Sequence, residues 1–226
     1  MSLKVSENGG SSSFAPLEEG SYAAVCYEVI DLGMQESKQF GNSSRKVLIG
    51  WEIADEYVEI NGEKQPRTFT ARYTASLNEK AVLRRDLVAW RGKAFSDEEL
   101  ELFDLANIID APCLLQVIHK ETNGKVYANL AGIMKLPKGM ARPKRTLDPI
   151  VFDIDESDLS MIEKMPEWIA NTIKQSSSYE ERLAAEAKKA AQIKDLGEAG
   201  YGEGNPFEGE YSQEVIDDTD DGVLPF

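Results

Sequence analysis

The chain has 226 residues, 42% of them apolar, and a net charge of −15. That apolar share supports one real core, either a single domain with appendages or two small ones. Two cysteines and one histidine are too few for a zinc site built from Cys and His. The charge is uneven, since residues 151–226 hold 6 basic and 19 acidic groups while residues 14–150 hold 18 and 20. The acidity therefore belongs to the C-terminal third and does not exclude a polyanion as ligand for the rest. No apolar run reaches the length of a membrane span and no signal-peptide core opens the chain, so a soluble cytosolic protein is expected. Cys26 and Cys113 sit in apolar, strand-like runs and read as small buried thiols of a reducing compartment rather than as a disulfide.

In chain order, residues 1–13 are a polar, Gly- and Ser-rich lead. A first strand is expected over Ser21–Leu32. Met34–Ser44 is a polar loop carrying Lys38, Phe40 and Gly41. In Arg45–Ala54, Val47, Ile49, Trp51 and Ile53 alternate onto one face, the signature of a half-buried strand. Asn61-Gly62 is a turn dipeptide leading to a third strand over Pro66–Thr74. There Phe69, Ala71 and Tyr73 face one way, and Thr68, Thr70 and Arg72 the other. The period then changes. Ser76-Leu77-Asn78-Glu79 has the form of a capping box. Leu83, Leu87 and Trp90 recur at helical spacing, and Gly92 supplies a stop. A second box, Ser96 to Glu99 flanked by Phe95 and Leu100, predicts a short second helix. A fourth strand over Pro112–Lys120 turns at Asn123-Gly124 into a fifth over Lys125–Leu136.

Gly139–Asp148 reads as a basic linker. Pro166–Ile173 reads as a helix with Pro at its start, and Tyr179–Leu196 as an Ala-, Glu- and Lys-rich surface helix. From Asp195 to Phe226 there are ten acids and no Lys or Arg, a composition that repels itself and buries little. Three strands, a helical insert and two strands is the order of a five-stranded OB-fold barrel. The expected organisation is a flexible lead (1–13), a mainly β OB-type domain (14–147), a C-terminal helical segment (148–196) and a disordered acidic tail (197–226).

Catalysis finds little support. The chain has no P-loop and no nucleophile elbow. His119 alternates with Val117, Leu115 and Cys113, which makes it a residue of the barrel face. The acids Asp153, Asp155 and Glu156 read as solvated surface rather than as metal ligands. Neither an enzyme nor a metal or cofactor site is expected. Polyanion binding finds more. Between Thr122 and Leu147 stand six basic residues and no acid: Lys125, Lys135, Lys138, Arg142, Lys144 and Arg145. Segment 77–93 is basic as well, with Lys80, Arg84, Arg85, Arg91 and Lys93. Binding a single strand requires cations spaced along a groove and rings on which bases stack. Candidates for that interface are Lys46, Arg67, Arg72, Tyr73, Arg91, Lys93, Lys120, Tyr127, Lys135, Lys138, Arg142, Lys144 and Arg145, with Phe40 beside the first hairpin. Tyr127 is the first candidate for stacking. Trp51, Phe69 and Trp90 read as core, and Tyr73 stands between the two roles.

The last ten residues close the acidic run Asp217, Asp218, Asp220 and Asp221 with Leu224, Pro225 and Phe226. The ring and the terminal carboxylate share one residue, so a basic-rimmed apolar pocket on a partner could take both while the acids steer the encounter. This ending resembles the tip of bacterial and phage single-stranded DNA-binding proteins. It departs from their pattern in Thr219, which interrupts the acids, and in Gly222-Val223 before the clip. The body resembles a phage-encoded family of the same kind. The resemblance is carried by Leu17 to Tyr22, by Tyr73 to Leu77, and by Trp90-Arg91-Gly92-Lys93-Ala94-Phe95. Pro112 to Leu114, Tyr127 to Asn129 and Met165 to Ile169 add to it. It implies an OB-fold that coats single strands during phage replication or recombination in the cytoplasm of a bacterial host and recruits partner proteins through its tip. The competing expectation is an OB-type adaptor that binds host replication proteins without DNA affinity of its own.

Overall fold

The computed structural model describes residues 15–37, 41–60 and 62–198. The chain divides into two compact units, residues 1–184 and 185–226. The first unit holds a six-stranded sheet. Its strands are β1 (Gly20–Glu36), β2 (Ser43–Ile60), β3 (Glu63–Thr74), β4 (Pro112–Thr122), β5 (Lys125–Lys135) and β6 (Ile150–Phe152). Their order is β3-β2-β1-β4-β5, with every pair on this path antiparallel, and β6 adds to β1 in parallel. The protein is thus mainly β with a few helices, as expected. The expected closure into a barrel is not made, because among the described residues no ladder joins β3 to β5 and the sheet is open. Helix α1 (Val82–Arg91) contacts both of these strands.

Strand β1 changes partner along its length. Gly20–Val25 pair with β4, and Glu28–Ile30 pair with β6. A bulge between Cys26 and Glu28 marks the switch. There the backbone N–H of Cys26 donates to the Ala111 carbonyl, and that of Asp110 to the Cys26 carbonyl. A bulge re-aims the residues beyond it, so β1 serves two cores. Ala24, Cys26 and Val29 join Val47, Ile49 and Trp51 of β2, with Leu83, Leu87 and Trp90 of α1, in the larger one. On the other side Ile30, Leu32 and Leu48 meet Phe152, Ile154, Ile162, Ile169 and Ile173. Helix α3 (Glu167–Lys174) and a 3-10 turn over Leu159–Lys164 supply that second layer. Both cysteines are fully buried free thiols, and burial pushes their pKa values up.

Local signals act as expected at most turns. Asn123 and Gly124 take φ of 51° and 72°, the pair of positive values a type I′ hairpin needs. Gly92 caps α1 at φ 68°. Ser96 and Glu99 form a complete capping box on α2 (Asp97–Leu102). The first box does not form. Ser76 Oγ accepts the Asn78 N–H at 3.2 Å within a turn, and α1 begins later, after Ala81, without a side-chain cap. The local Ser bond competes with the cap, as short polar side chains do outside helices.

Helix α4 spans Ser177–Glu198 and continues into the second unit, where its residues up to Gln192 are exposed. No helix among the described residues is long and apolar enough to cross a membrane.

Candidate nucleic-acid interface

Two adjoining depressions open where β3 lacks a neighbour. The larger, about 570 Å³, is lined by Lys46, Arg72, Tyr73, Thr74, Lys80 and Val82 among others. The smaller, about 370 Å³, lies between β3, α1 and β5 and is lined by Phe69, Arg72, Val82, Arg85, Asp86 and Asn129 among others. Arg72, Tyr73 and Val82 line both, so the two make one continuous trough. It carries four cations (Lys46, Arg72, Lys80 and Arg85) and one acid, Asp86.

Strand alternation explains the placing. Phe69, Ala71 and Tyr73 turn toward the larger core, and the exposed Arg72 pairs with Leu48 on the opposite face. Lys46 Nζ donates to Thr74 Oγ1 at 2.8 Å, a bond to a neutral hydroxyl that leaves its charge uncompensated. Arg85 is paired with Asp86 at 2.8 Å, with its own side chain 66% exposed. Tyr73 is buried, and its hydroxyl donates to Asp86 Oδ2 at 3.2 Å. Burial and the neighbouring Asp86 charge hold its pKa far above the usual tyrosine value. Its ring therefore belongs to the core and lines the trough from beneath. Exposed Val82 offers the apolar contact instead. Lys80 and Arg85 joined the site only through the fold, although the basic surplus of residues 77–93 was their signal in the sequence.

The other expected residues fall elsewhere. Tyr127 is 50% exposed and stands directly opposite Lys120 across the β4–β5 hairpin, with the exposed Ile118 paired to Asn129 on the same face. Asn129 of this face also lines the smaller depression. Arg67 donates to the Ala15 carbonyl. Arg91 and Lys93 both bind Glu99, the latter at 2.9 Å. Lys93, the Ser96 N–H and Arg91 together hold the Glu99 carboxyl down to about 2. Arg145 is held by Asp110 at 2.6 Å and donates to the Leu147 carbonyl, so it pins the linker rather than standing free. Lys138 is exposed, and exposed Lys144 lines a further depression with Met140 and Pro143. Arg142, Lys135 and Arg91 meet at a cavity of about 460 Å³ beyond the other end of α1, walled by Leu87, Trp90, Phe103 and Pro112. Phe40 and the tip residues Asp217, Asp218, Asp220, Asp221, Leu224, Pro225 and Phe226 lie outside the described residues.

The linker is not loose where it crosses β2. Buried Glu52 accepts the Thr146 N–H at 2.8 Å, the Thr146 hydroxyl at 2.7 Å and the Leu147 N–H at 3.0 Å. Near the start of β2, Asp31, Asp153 and Asp155 bring three carboxylates within 4.8 Å of one another. Arg45 reaches all three, at 2.7 Å from Asp155, 3.6 Å from Asp153 and in direct contact with Asp31. The guanidinium is the counter-ion of this cluster. No protein-family model matches the chain, and no curated protein matches it.

Proposed function

We propose that the protein binds single-stranded nucleic acid, DNA in the first place, with little sequence preference, and that it is not an enzyme. The observation that carries the reading is the trough along β3, in which Lys46, Arg72, Lys80 and Arg85 follow one another against a single acid. Cations so spaced neutralise successive phosphates, while an apolar floor and the exposed Tyr127 ring offer contact to unpaired bases. The strand order, with a helix between β3 and β4, supports an OB-type scaffold whose β3–β5 seam is widened into the binding trough. On this reading the chain belongs with the phage single-stranded DNA-binding proteins that its sequence resembles, acting in a bacterial cytoplasm during replication or recombination.

The acidic tail has two roles in this proposal. It recruits replication or recombination proteins through Phe226, and its acids compete for the trough when DNA is absent. That competition is electrostatic, so salt screens it. The test is fluorescence anisotropy of a labelled strand of ~30 nucleotides, titrated with the full chain and with a chain ending at residue 196. Tight, salt-sensitive binding that strengthens on truncation at low salt is expected. No binding by either form overturns the reading in favour of an adaptor.

A further inference from the structure

Helix α1 lies against β5, and the trough uses only part of that seam. Its residues there are Val82, Arg85 and Asp86 near the start of the helix and Ala128, Asn129 and Leu130 in the middle of the strand. A cavity of about 460 Å³ follows at the far end of the same two elements, with Leu87, Trp90 and Arg91 from the helix and Lys135 from the end of the strand. From Arg85 to Trp90 the helix rises only about 7.5 Å, so trough and cavity are neighbours along one line. Arg142 of the linker joins the lining.

No acid is among the residues that line this cavity. Arg91 is already bonded to Glu99. Lys135 and Arg142 are exposed, and no acid stands beside either among the described residues. The walls are otherwise apolar, from Leu87, Trp90, Phe103 and Pro112. The Trp90 indole N–H is bonded to the Pro112 carbonyl at 2.9 Å, which leaves Asn107 as the one uncharged polar side chain of the lining to read the edge of a ligand. The size lies in the range of small-ligand sites. Two open cations beside apolar walls match the two halves of a nucleotide, its phosphate and the flat face of its base. The same seam leads back to the four cations of the trough, so the charges favour a strand that continues from there over a separate ligand.

We propose that this cavity is a second subsite for the strand bound in the trough, and that it takes one unpaired base of that strand. The base lies against Phe103, Trp90 and Pro112, and its flanking phosphates meet Lys135 and Arg142. The strand then follows the α1–β5 seam, from Lys46 and Arg72 at one end to Arg142 at the other. A base held by its face and not by its edge is accepted whatever its identity, which agrees with binding of little sequence preference. The inference rests on the single-strand reading above and adds to it the course of the strand and the place where it ends.

The test is anisotropy of the full chain with two labelled oligothymidines of ~5 and ~16 nucleotides, the short one enough for the trough alone and the long one enough for both places. Ala111→Phe fills the cavity from its wall and leaves the cations in place. Lys135→Ala/Arg142→Ala removes the cations and leaves the walls. On the long strand the first should bind at least about fivefold more weakly at an unchanged salt slope. The second should reduce the slope of log K against log salt by about 1.4, or 0.7 for each phosphate contact. On the short strand both should match the parent, which also shows that they are folded. The double substitution, at two exposed positions, carries the test by itself where the filled cavity is not tolerated. Parent-like binding of the long strand by the variants, or equal losses on both lengths, overturns this inference and leaves the trough standing. Competition by free dTMP that brings the parent down to the level of the filled variant overturns it as well, in favour of a mononucleotide site. No binding of either strand by the parent overturns the single-strand reading and this inference together.

Discussion

The Glu28 side chain lies across Gly50, its partner in the β1–β2 ladder, so closely that a Cβ at Gly50 would stand 2.2 Å from Glu28 Oε1. The carboxyl is buried there, and glycine is required by that close approach rather than by its backbone conformation. Gly50→Ala should therefore displace a buried carboxyl and cost about 2–3 kcal/mol, in the range of overpacked cores. The double variant Gly50→Ala/Glu28→Ala should lose less than the sum of the single ones. Denaturant titration of the four proteins measures that coupling, and additive losses would mean that the two side chains do not share the space.

Burial raises the pKa of Glu28, only partly offset by a hydrogen bond from Tyr27. The sign follows from linkage. A carboxyl with a folded pKa above its unfolded one contributes no penalty at pH below the unfolded value, and destabilises as pH rises through the folded value. Glu28→Gln should accordingly raise the melting temperature at pH 7–8 and leave it unchanged near pH 4. Thermal melts at both pH values check this; an equal gain at both would assign the effect to shape instead of charge.

Replacing Glu52 by Ala frees two backbone N–H groups and one hydroxyl of the linker. Hydrogen bonds to a charged acceptor are worth about 1.5–3 kcal/mol each when buried, and less here, where Thr146 on the donor side is exposed. A loss of about 2 kcal/mol is expected, or a fall in Tm of about 4–8 °C. Faster amide exchange at Thr146 and Leu147 would show that the loss is local to the linker.

Tyr127→Ala should weaken strand binding by about 1–3 kcal/mol with a change in stability of no more than about 0.5 kcal/mol, because the ring is half exposed. Tyr73→Phe should do the opposite. It removes the bond to buried Asp86 at a cost of about 1 kcal/mol and leaves affinity nearly unchanged. Anisotropy and melts on both variants separate a stacking ring from a core ring. Similar losses of affinity in the two would place Tyr73 in the interface as well.

Each trough cation replaced by Ala should reduce the slope of log K against log salt by about 0.7, the value for one phosphate contact on a single strand. Lys46, Arg72 and Lys80 are the positions to change. Arg145, held by Asp110, should leave the slope alone and lower stability instead.

Most of the fold was legible where the signal was local. Alternation placed β2 and β3, the Asn123-Gly124 pair placed the hairpin, and Ser96 with Glu99 placed α2. Long-range pairings were not legible. Nothing around Ile150–Phe152 marks a three-residue strand, since its only reason to extend is the stretch of β1 beyond the bulge, which β4 does not pair. Glu52 and Thr146, like Arg45 and Asp155, stand about a hundred residues apart, and no local pattern links them. The candidate interface was half legible for the same reason. A basic composition shows in the sequence, but whether a given cation has no acid beside it among the described residues, like Arg72, or is already satisfied, like Arg145, depends on which acid the topology brings near.

The division of β1 between β4 and β6 also sets an order of events on the ribosome. The meander of β1, β2 and β3 can form once residue 74 has emerged, because those pairings are sequence neighbours. Its outer face, with Ile30, Leu32 and Leu48, must wait for residues 150–173 to cover it. During that interval the nascent chain presents an apolar surface on a half-built sheet, the form of intermediate most prone to wrong contacts. The lateness of the cover, from Phe152 to Ile173, thus sets how long that face stays open during synthesis.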